Sequence, residues 1–190
     1  MDDPTTAAPA AGWVLRASRA ELDVDALLER FGQLHRIPVG AGDAAAQLQP
    51  GQPCFLVRTD RARVVGLWAI GEVVAPVLHL PAGTPVLPAE GPLGTTDETA
   101  ERTYAEVELL PVAKPVALEA LLTDDRLARS PLTGAGEPGR APLPLTREQV
   151  RAIEAVELWI EEPSEEQRRA LDRLLADEDP ILDALEADAG

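Results

Sequence analysis

Gly66-Leu67-Trp68-Ala69-Ile70-Gly71-Glu72-Val73-Val74 is the stretch whose reading sets the fold. It lies inside an apolar run, Val64 to Ala75, that reads as a strand. Gly66 and Gly71 mark a bulge or a bend within it, as at a barrel corner. Its longest uncharged part stops at Glu72, far short of the roughly 20 residues of a membrane-spanning helix. A carboxylate in such a run either points into solvent or lines a pocket, and Glu72 has both readings.

Working outward, Cys54 to Thr59 is a second apolar run, joined to the first across Asp60-Arg61-Ala62 as a β-hairpin, with Pro50-Gly51 as the turn before it. Val77 to Leu80 continues the sheet, Thr103 to Val112 alternates as a further strand, and Trp13-Val14-Leu15 is another. Asp23 opens an amphipathic helix with Val24, Leu27, Leu28, Phe31 and Leu34 on one face and Gly32 near its end. His35 to Gly42 reads as a connection, followed by a helical turn capped by Asp43. Residues 81–98 and 130–143 are rich in Pro and Gly and read as irregular; Pro115 to Leu122 suggests a short helix. Thr146-Arg147-Glu148-Gln149 fits a capping box, opening a helix with Val150, Ile153, Val156 and Trp159 at helical spacing. A second box, Ser164-Glu165-Glu166-Gln167, precedes a stripe of Leu171, Leu174 and Leu175. Strands and helices do not alternate regularly, which disfavours a doubly wound parallel sheet.

At 190 residues, 45% hydrophobic, the chain can bury about 70% of its unfolded surface around one core. The expected organisation is a mobile arm over 1–11, one domain over 12–160 and an acidic helical tail over 161–190. The tail holds 11 acidic residues against 3 arginines, a net of −8 out of −16 for the whole chain. So acidic a protein repels bare phosphate at long range, which argues against a non-specific nucleic-acid coat or an anionic membrane surface. The tail is a solvated face or a contact surface for a basic protein partner. The single cysteine cannot form an internal disulfide and the amino terminus is acidic where a signal peptide is basic, so a cytoplasmic, non-membrane location is expected.

Zinc-finger, EF-hand, phosphate-loop and nucleophile-elbow spacings are all missing from the sequence. Cys54 sits in an apolar strand beside Phe55, a setting for a small buried residue and not for a reactive thiolate. No catalytic residue, metal or cofactor is expected, and the chain does not read as an enzyme.

The nine residues from Gly66 to Val74 resemble the central strand of EVE domains, which belong to the PUA-like superfamily with the YTH and ASCH domains. Trp13-Val14-Leu15-Arg16 is similar to that family's opening strand, Asp23 to Leu28 to its first helix, and Pro50-Gly51-Gln52 with Phe55-Leu56 to its turn into the hairpin. Pro142-Leu143-Pro144-Leu145-Thr146 resembles its closing element. The resemblance covers about residues 12–158. It implies an α+β fold, a PUA-like antiparallel β-barrel of the EVE type with peripheral helices, and a non-enzymatic reader of a modified nucleobase in DNA or RNA. A flipped base held by aromatic walls gains roughly 1–3 kcal/mol from stacking.

The chain departs from that pattern at Ala17-Ser18-Arg19, at Leu22, at Gln52 and at Leu34-His35-Arg36, where the family has a proline motif, an aromatic, an aspartate and a tryptophan. Trp13, Trp68 and Tyr104 are then the expected cage, with Phe55 behind them. Arg16, His35, Arg36 and Arg58 are the expected ligand contacts, and Arg61 and Arg63 the phosphate contacts at the hairpin tip. Each aromatic also reads as core, and the arginine tip as a solvated turn paired with Asp60. The competing expectation is an interaction module with a degenerate pocket, using the acidic tail to bind a partner or to mask the arginines.

Overall fold

A computed structural model of the chain describes residues 9–18, 24–25, 34–60, 63–81, 102–136 and 139–156. The sequence expectations that fall on residues 1–8 of the N-terminal arm, on most of the first helix, on Arg61, on the loop over 82–98, on Trp159 and on the acidic tail lie outside the described residues. Among those described, six strands form one sheet: β1 (Gly12–Ala17), β2 (Leu34–Val39), β3 (Pro53–Arg58), β4 (Gly66–Leu80), β5 (Arg102–Ala117) and β6 (Leu143–Leu145). Their spatial order is β2-β5-β4-β3-β1-β6. Short helices α1 (Asp43–Ala46), α2 (Leu118–Leu121) and α3 (Asp125–Ala128), a 3-10 turn (Pro131–Gly134) and α4 (Arg147–Glu154) accompany it.

The hairpin of β3 and β4 and its extension onto β5 are antiparallel, as the sequence suggests. β1 departs from an all-antiparallel barrel, because it pairs β3 in parallel, Trp13 opposite Cys54 through Ala17 opposite Arg58. The reason is topological: the chain between β1 and β3 crosses over through β2 and α1, so β3 re-enters in the direction of β1. The sheet is therefore mixed. Its two ends approach each other at one point, where the amide of Gly40, just after β2, donates to the carbonyl of Arg140, just before β6 (2.9 Å).

Side chains alternate between two cores. Trp13, Leu15 and Ala17 of β1 join Ile37 and Val39 of β2, Cys54 and Leu56 of β3, and Ala69 and Val73 of β4. Ala105, Val107 and Leu109 of β5 belong to that core too, together with Val24, Ala45 and Leu48 from outside the sheet. With the two ends of the sheet meeting at Gly40 and Arg140, the five strands curl around this core. The intervening residues Val14, Phe55, Val57 and Leu67 face a second core, closed by Leu118, Leu121, Leu127, Leu132, Val150 and Ile153 from the helices.

Two sequence expectations change here. Leu34 is no part of a helix face: it begins β2 and is 51% exposed, while His35, Ile37 and Val39 alternate inward. The segment expected as a connection is thus an edge strand, blunted by Pro38, which has no amide to offer. Pro115 to Ala117 likewise still belongs to β5, and the helix begins only at Leu118. The turn at Asp43 is present, with Gly42 in the cap position and no side-chain cap. The capping box of α4 forms in full. Gln149 N donates to Thr146 Oγ1 (3.3 Å), and Thr146 N donates to Gln149 Oε1 (2.9 Å).

Candidate functional site

Trp68 is set apart by the bulge that carries it. Against β3, Leu56 faces Ala69 and Val57 faces Leu67, so Trp68 is the extra residue. Against β5 the register jumps at the same point, from Ala69–Pro111 to Leu67–Val116. A bulge re-aims the side chain it carries. Leu67 and Ala69 are buried, one in each core, while the Trp68 ring is half-exposed. Its indole Nε1 donates to the carbonyl of Val64 (2.7 Å). The guanidinium of Arg58 lies over the ring, 4.8 Å from its centroid.

Arg58 is 1% exposed, which corrects the expectation of a ligand-contacting arginine at an open hairpin tip. Continuing the alternation of Cys54 and Leu56 turns it inward. It stays charged because carboxylates meet it there. Nη1 and Nη2 donate to Asp25 (2.7 and 3.4 Å), and Nε donates to Asp60 (2.7 Å). Burial works against the cation, but the bonds to Asp25 and Asp60 outweigh it and raise the pKa of Arg58 above its ordinary value. Arg63 is exposed, with Nη2 4.0 Å from Asp25. Among the described residues of this corner, two arginines and two aspartates cancel.

Trp13 stands elsewhere. It is 1% exposed within the inner core, and its Nε1 donates to Gln52 Oε1 (2.7 Å) at the opposite end of β3 from Arg58. The two indoles therefore do not flank a common slot, because the odd-numbered positions of β1 point inside the curl. Tyr104 is also buried, on β5 opposite Pro38 and Leu78, and His35 is buried opposite Val107. Arg36 binds Glu106 across the same strand pair (2.9 Å). Arg16 reaches the carbonyls of Ala141 (3.1 Å) and Gly134 (3.5 Å), bracing the segment before β6. Of the sequence-selected residues, Arg58, Trp68 and Arg63 come together, and Trp13, Arg16, His35, Arg36 and Tyr104 do not join them.

Asp25 is the functional-site member that sequence reasoning missed. The parity of β3, which makes Arg58 an inward cation in need of a counter-charge, was the signal that pointed to one.

Cys54 is buried, and burial pushes its thiol up to about 12, the carboxylate of Glu72 adding to the effect. Glu72 itself is exposed, facing solvent from β4. Among the described residues no group of three or more His, Cys, Asp or Glu is placed to hold a metal ion, and no helix is long and apolar enough to cross a membrane.

No family model matches the chain, and no curated protein matches it. Solved structures do. A Pseudomonas syringae protein is 20% identical, with a TM-score of 0.54 over 78% of this chain and 100% of its own. A Pseudomonas putida protein is 19% identical, with a TM-score of 0.50 over 78% and 100%. Human THYN1, solved in complex with 5-methylcytosine containing DNA, is 12% identical, with a TM-score of 0.51 over 80% and 99%. Identities this low speak to the fold alone, and the fold of this chain is EVE-like.

Proposed function

We propose that this EVE-like domain is a non-enzymatic nucleic-acid-binding module that takes a nucleobase, a modified one in particular, against Trp68. The observation that carries the reading is the ring itself: displaced by a bulge, half-exposed, and fixed by Arg58 on one face and by Val64 at its N–H. A ring held before the ligand arrives loses little entropy when a base stacks on it. The neutrality of the Arg58–Asp25–Asp60–Arg63 cluster suits contact with an uncharged base, and exposed Arg63 stands beside it for a phosphate. The DNA complex of human THYN1 supports the same class of ligand on this fold.

The test is titration of the full chain with a short single-stranded oligonucleotide carrying 5-methylcytosine, followed by anisotropy and tryptophan quenching. Trp68→Ala is expected to weaken binding by roughly 1–3 kcal/mol, a factor of about 5 to 150, with the circular dichroism of the fold retained. Absence of binding at low salt, or equal affinity for the folded variant, overturns the reading.

A further inference from the structure

At the other end of β3 from Trp68 lies a groove of about 360 Å³. One wall is α4, contributing Arg147, Val150, Arg151 and Glu154; the other is Ala10 and Ala11 with the turn Gly51-Gln52-Pro53. Arg147 and Arg151 are exposed, four residues apart on one helix, so they project side by side about 6 Å apart. Neither pairs with a carboxylate among the described residues. Arg58, Arg36 and Arg126, by contrast, are each held by an aspartate or glutamate.

The floor of the groove is rigid. Gln52 accepts from Trp13 Nε1 and from the amide of Gln49 (both 2.7 Å), and its Nε2 donates to the carbonyl of Ala10 (3.0 Å). The turn is tied to β4 through Gly51 N to Val73 O (2.8 Å) and Val73 N to Gln52 O (2.9 Å). The first turn of α4 is closed by its own capping box, so the positive charge facing the groove is that of the arginine side chains.

We infer that this groove binds phosphoryl oxyanions, two neighbouring phosphates spanning Arg147 and Arg151, as a nucleic-acid strand or a nucleotide would present them. Glu154 follows Arg151 by three residues on the same helix, so the Arg147 end of the groove is the more positive. The molecule's net charge of −16 opposes approach from a distance, but at 0.15 M salt the screening length is about 8 Å, and within it the groove's own lining, two arginines against Glu154, is net positive. The nucleic-acid form of this inference rests on the function proposed above: a strand long enough to reach from Trp68 to the other end of the sheet would present its backbone phosphates to the groove. The oxyanion site itself stands without it.

Two measurements on the full chain separate the cases. Inorganic pyrophosphate is titrated while the amide shifts of Gln52 and Val150 are followed by NMR. Saturable shifts in the wild type that vanish in the R147Q/R151Q double variant are expected, and no saturable shift up to millimolar pyrophosphate overturns the inference. For the 5-methylcytosine oligonucleotide, the double variant is expected to reduce the slope of log affinity against log salt by about 1.4, leaving tryptophan quenching intact. Trp68→Ala does the opposite, removing quenching with the slope unchanged. Pyrophosphate binding without oligonucleotide binding supports a site for free nucleotide phosphates and fails the proposed function alone. An unchanged slope in an oligonucleotide-binding double variant overturns the strand contact.

Discussion

Arg58 and Cys54 occupy the same inward face of β3, two turns of alternation apart, and are kept there by opposite means. Arg58 retains its charge because the carboxylates of Asp25 and Asp60 pair with it. Cys54 retains its proton because nothing does, and the nearby Glu72 only raises the cost of a thiolate. The thiol of the unfolded chain keeps its ordinary value of 9.0, and in the folded chain burial pushes it up to about 12. Between those values the unfolded state binds fewer protons, so stability falls as pH rises through that window and is fully present below it. Urea midpoints are expected to drop more steeply between pH 8.5 and pH 10 for the wild type than for Cys54→Ala, and native Cys54 is expected to resist a thiol reagent that labels it promptly in urea. Equal pH slopes for the two proteins would remove the linkage. At this scale the sequence placed Cys54 correctly, since a small residue in an apolar strand has one bland destination. Trp13 carried two readings, cage and core, and it lies in the core; the sequence could not choose because an aromatic carries no mark of which side of a curled strand it faces. Arg58, expected as a ligand contact or as a turn residue paired with Asp60, does pair with Asp60 but is buried, because strand parity turns it inward.

Among the elements, β4 does the most to shape the site. Gly66 and Gly71, which flank Trp68 in the sequence, are where β5 comes closest: a Cβ on Gly66 would strike the Val116 carbonyl, and one on Gly71 the Glu108 carbonyl. Both obstacles are backbone, which cannot swing aside as a side chain can. Gly71→Ala is therefore expected to destabilise the fold by about 1–3 kcal/mol or more, read as a lowered urea midpoint, with the β4–β5 ladder weakened beside the bulge. A midpoint within error of the wild type would show that the strands yield there at no cost. The strands β3, β4 and β5 were legible because each alternates or runs apolar between turn residues. β2 was hidden by Pro38, Gly40 and Gly42, whose turn character outweighed the alternation of His35, Ile37 and Val39. The parallel pairing of β1 with β3 had no local signal at all, since which strand a segment pairs with is set by the path of the intervening chain.

For the molecule as a whole, the sequence showed the charge imbalance and the single-core scale, but not that one sheet would serve two cores, because that depends on the curl. Residues 161–190 carry 11 acidic residues against 3 arginines, half of the molecule's net charge. Truncation after residue 160 halves the net charge from −16 to −8. It is expected to speed association with the oligonucleotide at 10 mM salt, where the screening length is about 30 Å, and to make little difference at 1 M, where it is about 3 Å. Stopped-flow rates that do not change at low salt would argue against long-range repulsion by that segment. The position of β1 has a consequence for biosynthesis. It lies between β3 and β6, so the first strand translated gains its second neighbour only when Leu143–Leu145 has been made. At typical elongation rates that delay after β3 is on the order of ten seconds, during which the nascent chain carries one open flank of β1. Slow codons placed after residue 58 would lengthen the exposure, and a chaperone that recognises extended apolar segments would find Trp13 to Leu15 its natural client.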